Sequence, residues 1–469
     1  MTTLTILKSK KQKIIDRLDT NPDALLSMVF KLILMFIVFG LNSPVMCQEV
    51  WNLPMCIDYA IEHNIELNQK ALEVQTQKVN MLENTAGLLP GLNMGTYATL
   101  YFGRNVDADN NITFNKTLTN NYWIESSVNL FNGWMQVNTI SYNRYLLNAS
   151  KQGYEIARNQ LIMNVLSAYY TVVYSRGLLL VANEQVILSG KEVERSQQMV
   201  DLGRGSPVIL QELKSNWAAD KLNLAQAEGN YMGAVIAFKQ LLRLNESELL
   251  LTDTLGVESL YMESLPNADS IYQQALGKLP EMKQQDFLVQ AAKKDLAISR
   301  GSLSPRIYLS GGLNTGYYNS NDSTDFRKQW NNNQSEYVQV GVSIPIFNQA
   351  SGCGNIKRKK ILLENQKLSF EKAKEALNSQ IIQTHQDLLS AEKEFLSSQE
   401  MLTYSELSYK QMAKKLENGS ASPTEYSAAK QKVLSAKANL LKSKLLYGMY
   451  RQMLEFYMRG DWEHLKVAG

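Results

Sequence analysis

Gly203-Arg204-Gly205-Ser206-Pro207 recurs 216 residues later as Gly419-Ser420-Ala421-Ser422-Pro423. Each copy is a Gly-x-x-Ser-Pro break inside a long stretch without any other proline. Glycine readily takes positive φ where a helix ends, proline suits the first turn of a helix, and serine is a good N-cap. We therefore interpret both breaks as turns between paired helices, in a chain that arose by duplication of one unit.

An apolar seam supports the duplication, because it keeps its phase over the same spacing of 216 residues. Its members are apolar or small and follow one another at alternating steps of four and three residues, as in packed long helices. They are Leu161, Val165, Ala168, Val172, Ser175, Leu179, Ala182 and Val186, answered by Leu377, Ile381, Thr384, Leu388, Ala391, Phe395, Ser398 and Leu402.

The proline-free stretches predict the lengths of the helices. Residues 132–202 and 348–418 each run for about 70 residues, or about 105 Å of helix. A helix of about 35 residues is expected to return after each break. One shorter helix is expected to lead into each strand hairpin, about Pro54 to Gly87 in the first half and about Asp269 to Ser302 in the second.

Composition excludes several classes of function. The 48 basic and 45 acidic residues leave a net charge of +3, too small to favour nucleic acid. The three cysteines and three histidines form no CxxC or HExxH motif, so zinc and thiol chemistry are not expected. We predict neither an enzyme nor a cofactor. These residues are Cys47, Cys56, Cys353, His63, His385 and His464.

The N-terminal region 1–47 is interpreted as a secretory signal, with Met28 as a possible true start. The apolar run from Leu32 to Leu41 is about ten residues long, whereas a membrane-spanning helix needs about 20. We predict cleavage between Cys47 and Gln48. A lipidated Cys47 is the alternative, although the small residue that normally precedes a lipidated cysteine is missing, since Met46 stands there.

Four segments are predicted as transmembrane β-strands, each about the nine to eleven residues that a tilted strand requires. They are 94–102, 122–131, 306–317 and 337–347. In the last, Val338 to Ile346 alternate with polar or small residues, as expected for a strand between lipid and water. No further run long enough for a membrane helix is expected after the signal. The polar segments 104–121 and 318–336 are interpreted as solvated loops.

These elements divide the chain into two structural repeats. The first covers 48–245 with a strand hairpin at about 92–131, and the second covers 267–460 with a hairpin at about 306–347. Residues 246–266 form a connector, or equatorial segment, and residues 461–469 form a tail.

Four strands are too few to close a membrane barrel, since the smallest have about eight. An open sheet edge in lipid leaves backbone groups unpaired at several kcal/mol each. Several chains must therefore share one barrel, and three would supply twelve strands around a water-filled lumen. The fold class is mainly α with transmembrane β: a long coiled-coil helical barrel, plus four strands from each chain to a trimeric twelve-stranded barrel.

At this point the chain resembles the TolC-like outer-membrane efflux protein family over essentially all of its mature length. The motifs that carry the resemblance are weak singly and specific in this order. They are Trp51-Asn52-Leu53, Cys56-Ile57-Asp58-Tyr59-Ala60, Asn64, Leu89-Pro90-Gly91, Ile344-Pro345-Ile346-Phe347-Asn348 and the two Gly-x-x-Ser-Pro breaks.

The resemblance implies a homotrimer in the outer membrane that extends into the periplasm. It further implies a passive exit duct of tripartite efflux or type I secretion, completed by a periplasmic adaptor and an inner-membrane pump of the RND or ABC type. The two breaks then become turns at the periplasmic tip, where they contact the adaptor. The tip residues are Gly203, Arg204, Gly205, Ser206, Pro207, Gly419, Ser420, Ser422 and Pro423.

The resemblance also implies a ring of acidic residues just beyond the second tip turn, at the closed aperture. Glu425 lies nearest to that place, whereas the next acidic position of the family falls on Ala428. The first copy has Ile209 and then Glu212. Glu425 and Glu212 are therefore the candidate gate residues, and we expect three Glu425 side chains to repel one another near the axis.

Two other classes of protein remain as alternatives at this point. A periplasmic adaptor has a helical hairpin, but usually one in each chain. A coiled-coil structural envelope protein without channel activity would show the seams without strands of membrane length.

Overall fold

The computed structural model describes residues 50–106, 112–113, 116–244, 250–251, 266–319 and 325–462. The predicted signal, its cleavage at Cys47 and Gln48, most of the connector and most of the tail lie outside the described residues. The fold below belongs to the unit that begins at Trp51.

Helices dominate the described chain, and their order repeats in the two halves. Each half has two shorter helices, then one of 67 residues, then one of 36 or 37 residues. A seven-residue helix, α7, precedes the last long pair. The helices are α1 Leu53–His63, α2 Ile65–Ala86, α3 Met135–Asp201, α4 Pro207–Leu242, α5 Ala268–Lys278, α6 Pro280–Gly301, α7 Phe326–Asn332, α8 Ser351–Glu417 and α9 Pro423–Arg459.

The strands are β1 Val50–Trp51, β2 Gly91–Tyr101, β3 Asn105–Val106, β4 Ile112–Thr113, β5 Thr117–Phe131, β6 Leu250–Leu251, β7 Arg306–Asn319 and β8 Ser335–Ser343. Four of them form an antiparallel sheet in the order β2-β5-β7-β8. The β5–β7 pair joins the two copies at the centre of this sheet.

The two long helices confirm the predicted length, because 67 residues rise by about 100 Å. The shorter leading helices are each broken, contrary to the prediction. Asn64 has an extended backbone, and its side chain accepts a hydrogen bond from the Leu67 amide at 2.9 Å, which starts a new helix. In the second copy the break falls at Leu279, because Pro280 cannot continue the preceding helix.

Strand register separates an apolar face of the sheet from a polar one. Residues paired directly across strands share a face, and the register pairs Met94 with Ile124, Ile124 with Leu313, and Leu309 with Val340. The same face carries Leu92, Leu100, Leu118, Val128, Ile307, Val338 and Val342. The opposite face carries Asn93, Thr99, Asn121, Glu125, Asn129, Ser310 and Gln339.

The predicted strand and loop bounds need several corrections. β2 begins at Gly91 and not at residue 94, and the predicted loop 104–121 contains β3, β4 and the first residues of β5. β5 begins at Thr117, because backbone pairing continues through polar Thr and Asn residues that resemble a loop in sequence. β8 ends at Ser343 and not at Phe347, since Pro345 has no amide hydrogen to donate to a ladder. The segment 318–336 contains α7 and the first residues of β8, so it is not a simple loop.

The core draws on both copies, and the predicted seam lines it. Leu161, Val165, Ile381 and Leu388 are buried in one cluster together with side chains of α1, α4, α5 and α9. α3 packs along α4 and α6, and α8 packs along α9 and α6. Beyond Ala391 the seam is half-buried, which suits helices that pack in a thin wall.

One described helix, α3, contains an 18-residue window that is long and apolar enough to cross a membrane by length and composition alone. The expectation that no such run follows the signal is therefore wrong by that criterion. About a third of the window is buried inside the chain. Since α3 is far longer than a membrane span and contributes Leu161, Val165 and Val172 to the core, the window is weak support for a crossing.

Candidate functional site

Both breaks form the same backbone turn at the end of a long helix. Gly203 and Gly419 have φ of 70°, as predicted, so an L side chain would be strained at either position. Their amides donate to Val200 and Leu416, and the next amides donate to Met199 and Lys415, at 2.8–3.1 Å. This pair of hydrogen bonds is the Schellman motif, which satisfies the last carbonyls of a helix.

The returning helices begin at Pro207 and Pro423, as predicted, but their caps differ. Ser422 accepts a hydrogen bond from the Glu425 amide at 3.2 Å, and the Glu425 carboxylate accepts one from the Ser422 amide at 2.8 Å. The two bonds form a complete capping box. Ser206 occupies the same cap position without a side-chain cap bond, and Ile209 cannot supply the reciprocal bond that Glu or Gln gives in a capping box.

The capping box changes the electrostatics of the candidate gate residue. Hydrogen bonds from the Ser422 amide and then from its hydroxyl hold the pKa of Glu425 below its ordinary value, and Lys415 adds a smaller effect in the same direction. Glu425 is exposed, so its charge faces solvent at the start of α9. A negative charge at a helix N-terminus is also favoured by the helix dipole.

Below the turns, the two hairpins use different chemistry at equivalent positions. In the first, Val193 and Leu210 are buried in a small apolar cluster with Leu213. The residues 216 positions later are Tyr409 and Tyr426, whose hydroxyls share a hydrogen bond at 2.6 Å. The first hairpin tip is therefore closed by apolar contact and the second by a polar one.

Polar contacts also join the two tips to each other. Thr424, in the first turn of α9, donates to the Glu212 carboxylate of α4 at 2.7 Å. Arg195 of α3 pairs with Glu417, the last residue of α8, at 2.7 Å. The structure thus brings the two predicted tip turns side by side. It places Glu212 against Thr424 and Glu425 in the capping box, so the two candidate gate residues have different partners.

A buried polar cluster lies below these contacts and was not predicted. Lys430 of α9 donates to Ser189 of α3 at 2.7 Å and to Asp220 of α4 at 3.1 Å. Ser189 also donates to Asp220, and Gln185 lies 3.5 Å from the same carboxylate. All four side chains are buried. Because opposite charges at close range in a low dielectric attract strongly, this cluster links the second hairpin to the first.

Glu192 extends this connection toward the tip. It accepts a hydrogen bond from the Tyr426 hydroxyl and lies 3.8 Å from the Lys430 ammonium. Burial, and then the hydrogen bonds with Glu192 and Tyr409, raise the pKa of Tyr426 well above its ordinary value. Tyr426 therefore stays protonated and remains a hydrogen-bond donor at physiological pH.

The chain has two long duplicated helical hairpins and an antiparallel sheet with one apolar and one polar face. This combination defines the class of outer-membrane channel-tunnels. The model of the outer membrane efflux protein family matches residues 56–242 and 271–455, which is well over half of the chain. The chain belongs to this family. It is accordingly a transport protein of the outer membrane that reaches into the periplasm, and it is not an enzyme.

Relatives in sequence support the same assignment. The probable outer membrane lipoprotein SilC of Salmonella typhimurium is 22% identical over 320 residues, which cover 67% of this chain and 65% of SilC. The chain thus spans slightly less than two thirds of that relative. The cation efflux system protein CusC of Escherichia coli O157:H7 is 22% identical over 351 residues, which cover 73% of each protein.

Solved structures show the same fold. A crystal structure of CusC superposes with a TM-score of 0.77 at 17% identity, over 87% of this chain and 92% of that chain. The outer-membrane channel OprN has a TM-score of 0.73 at 15% identity, over 88% and 90%. The outer membrane protein VceC of Vibrio cholerae has a TM-score of 0.69 at 12% identity, over 87% and 96%.

Proposed function

We propose that this chain forms a homotrimeric channel that serves as the passive exit duct of a tripartite efflux or type I secretion system. The observation that carries the proposal is the four-stranded sheet, whose outer strands β2 and β8 each have one edge without a partner among the described strands. The register also gives the sheet one apolar and one polar face. In lipid such edges need partners from further copies.

The oligomer and the channel can be tested together. Outer-membrane extracts in mild detergent should yield a heat-resistant species of three chains, and the purified protein should conduct ions in planar lipid bilayers. A water-soluble monomer without conductance would refute the channel and support a structural envelope protein instead. Membership of the family already disfavours that alternative and the adaptor.

We propose that the two tip turns dock a periplasmic adaptor, which connects the duct to an inner-membrane pump of the RND or ABC type. Support comes from the exposure of Gly203, Arg204, Gly419 and Ser420 at the ends of the long helices. CusC is named a cation efflux system protein. We extend efflux to this chain and leave its cargo open.

Cysteine cross-linking in cells tests the docking surface. Cys353 is exposed and Cys56 is buried, so the assay uses a Cys353→Ser background with a single cysteine at Arg204 or Ser420. We expect each to capture the adaptor through a short heterobifunctional reagent, which joins the introduced thiol to a lysine amine of the adaptor. Lys372→Cys, on the exposed side of α8, is the control and should capture none. Equal capture at all three positions would remove the tips from the docking surface.

We also propose that Glu425 raises the cost of closing the aperture. Two variants separate its charge from its capping role. Glu425→Gln removes the charge but keeps a residue that completes a capping box, whereas Ser422→Ala removes the cap and keeps the charge. We expect Glu425→Gln to change closed-state conductance and cation preference, and Ser422→Ala to leave cation preference unchanged. Unchanged conductance, salt dependence and ion preference in Glu425→Gln would exclude the gate role.

For Glu212 the expected effect is smaller. It is the other candidate gate residue, but its carboxylate already accepts a hydrogen bond from Thr424. Glu212→Gln therefore serves as the matched comparison in the same bilayer experiment.

The mature N-terminus remains a prediction with two alternatives. Cleavage before Gln48 gives a chain that begins without lipid, whereas cleavage before Cys47 gives an acylated cysteine. The relative SilC is named a probable lipoprotein, which supports the second alternative. Intact mass measurement of the purified protein distinguishes the two, because acylation adds the mass of the lipid.

A further inference from the structure

The short helix α7 replaces a missing stretch of strand at one end of the sheet. β8 begins at Ser335 opposite Asn314, whereas β7 continues to Asn319. The Gln329 side chain accepts a hydrogen bond from the Tyr318 amide at 2.8 Å and donates to the Tyr318 carbonyl at 3.0 Å. A side-chain amide thus pairs with β7 as a neighbouring peptide group would.

Two more hydrogen bonds hold α7 on the same edge. Asn333 donates to the Gly316 carbonyl at 2.7 Å, and Thr315 donates to the Trp330 carbonyl at 2.8 Å. With four hydrogen bonds to β7, α7 has a defined position on the sheet.

This position extends the apolar face of the sheet with aromatic rings. Tyr122 and Tyr317 lie on that face by register. The Trp330 ring lies 4.9 Å from Tyr122, and the Phe326 ring lies 5.4 Å from Tyr317 and 5.8 Å from Trp330. Phe326 and Trp330 remain 45% and 39% exposed, so the cluster offers an apolar surface to its surroundings.

The cluster lies at the end of the sheet away from the long helices, which in an outer-membrane protein is the end toward the outer leaflet. Long helices leave the sheet at the end formed by Gly91, Phe131, Arg306 and Ser343, and these helices extend into the periplasm. α7 lies at the opposite end. Tyrosine and tryptophan concentrate where hydrocarbon meets lipid headgroups, because their rings are apolar and their polar groups form hydrogen bonds.

Cationic side chains accompany the rings. Phe326, Arg327, Trp330 and Asn331 of α7, with Tyr122, line an open cavity of about 580 Å³. Arg327 and the adjacent Lys328 are both exposed.

Acidic residues also lie close by. Asp325 precedes α7, and Glu336 of β8 lies opposite Leu313 on the apolar face. Among the described residues beside α7, these two carboxylates balance the two cations in number. Selective binding of an anion here therefore needs a directed contact, which a planar guanidinium provides to phosphate.

We propose that the surface of α7 binds a phosphorylated glycolipid of the outer leaflet. Its acyl chains would pack on Phe326 and Trp330, and a headgroup phosphate would pair with Arg327 and Lys328 beside the cavity. The site belongs to a single chain, so it does not depend on the proposed trimer or on docking to an adaptor.

Native mass spectrometry of the purified full-length protein tests the proposal. The detergent-solubilised protein is titrated with bisphosphorylated lipid A, and bound lipid is counted per chain. We expect Arg327→Ala/Lys328→Ala to retain at least fivefold less lipid A than the original chain. Lys372→Ala/Lys410→Ala, two exposed lysines of α8, is the matched control and should bind as the original chain does.

Two further arms test the phosphate and the guanidinium. Dephosphorylated lipid A should bind to the original chain at least fivefold more weakly than bisphosphorylated lipid A does. The Arg327→Lys variant should bind lipid A more weakly than the original chain does, because lysine lacks the planar guanidinium. Equal binding of the two lipids, or full binding by Arg327→Ala/Lys328→Ala, would overturn the proposal. Bilayer conductance of the variants should be unchanged, which separates this test from that of the channel.

Discussion

The two tip hairpins have the same backbone turn but different side-chain chemistry. Both have a glycine at φ 70° and a proline at the start of the returning helix. In the first hairpin Val193 and Leu210 close the tip by apolar contact, whereas Tyr409 and Tyr426 close the second through their hydroxyls. Duplication therefore preserved the turn, because few residues fit its backbone, while the contacts below it diverged.

Because of this divergence, polar side chains of the second hairpin find their partners in the first hairpin. Tyr426 and Lys430 of α9 contact Glu192, Ser189 and Asp220 of the first hairpin. The residues 216 positions before Tyr426 and Lys430 are Leu210 and Lys214, and neither makes an equivalent contact: Leu210 packs within its own hairpin and Lys214 is exposed.

Replacement of the buried Lys430 should have the largest effect on stability among the variants that compare the two hairpins. Lys430→Met leaves the Asp220 carboxylate buried without its cation, which we expect to lower the free energy of unfolding by about 3–5 kcal/mol. Chemical denaturation of the detergent-solubilised protein measures the change. Lys214→Met, the exposed counterpart, should change it by less than about 0.5 kcal/mol.

A double variant distinguishes loss of the pair from loss of packing. Lys430→Met/Asp220→Leu removes both charges, so we expect it to recover much of the stability lost in Lys430→Met. If the two single variants at Lys430 and Lys214 have equal effects, the asymmetry between the hairpins has no energetic basis at this position.

The second largest effect is expected at the tyrosine pair. Tyr426→Phe removes the hydroxyl that joins Tyr409 and Glu192, and leaves two polar groups without this partner, at a cost of about 1–3 kcal/mol. The same denaturation assay applies. Tyr404→Phe, in a tyrosine that is 69% exposed, is the control and should be neutral. A neutral Tyr426→Phe would show that apolar contact is sufficient in both hairpins.

The caps predict a smaller difference between the copies. Ser422→Ala should lower stability by about 1 kcal/mol because it removes a side-chain cap, whereas Ser206→Ala should have almost no effect. Thermal unfolding of the two variants, compared side by side, measures the difference. Equal losses of stability in the two variants would mean that the capping box at Ser422 adds nothing to the stability of its turn.

The capping box also predicts a dependence on pH. Since the pKa of Glu425 is lowered in the folded chain, the contribution of its carboxylate is present above the ordinary glutamate pKa. It is lost as the pH falls through the lowered value. The stability difference between Glu425→Gln and the original chain should therefore be full at neutral pH and shrink in acid. A difference that stays constant with pH would contradict the ionic contribution.

The smallest effect is expected at the exposed link between the tips. Arg195 and Glu417 have side chains that are 67% and 50% exposed, and such pairs contribute about 0–1 kcal/mol. Arg195→Ala should therefore lower stability slightly at low salt and not at all in about 1 M salt, where screening is strong. An effect that persists at high salt would indicate packing of the arginine side chain instead.

Much of the fold follows from local patterns. The seam from Leu161 onward predicts the long helices, because apolar residues at steps of three and four require a partner along one helix face. The alternation around Val340 predicts β8 for a similar reason. The strand ends were harder to predict: Thr117 and Asn120 belong to a ladder formed by backbone groups, which side-chain polarity does not reveal.

The tip turns and the cluster below them differ in how far the sequence predicts them. Gly419, Ser422 and Pro423 define their turn within five residues, so the sequence alone determined both Gly-x-x-Ser-Pro turns, the pairing of long helices and the duplication. Glu425 as the partner of Ser422 follows from the same spacing. Lys430 and Asp220 come from different copies and are 210 residues apart. Only the tertiary structure decided that they meet, because the packing of α9 against α3 and α4 determines which polar groups are buried together.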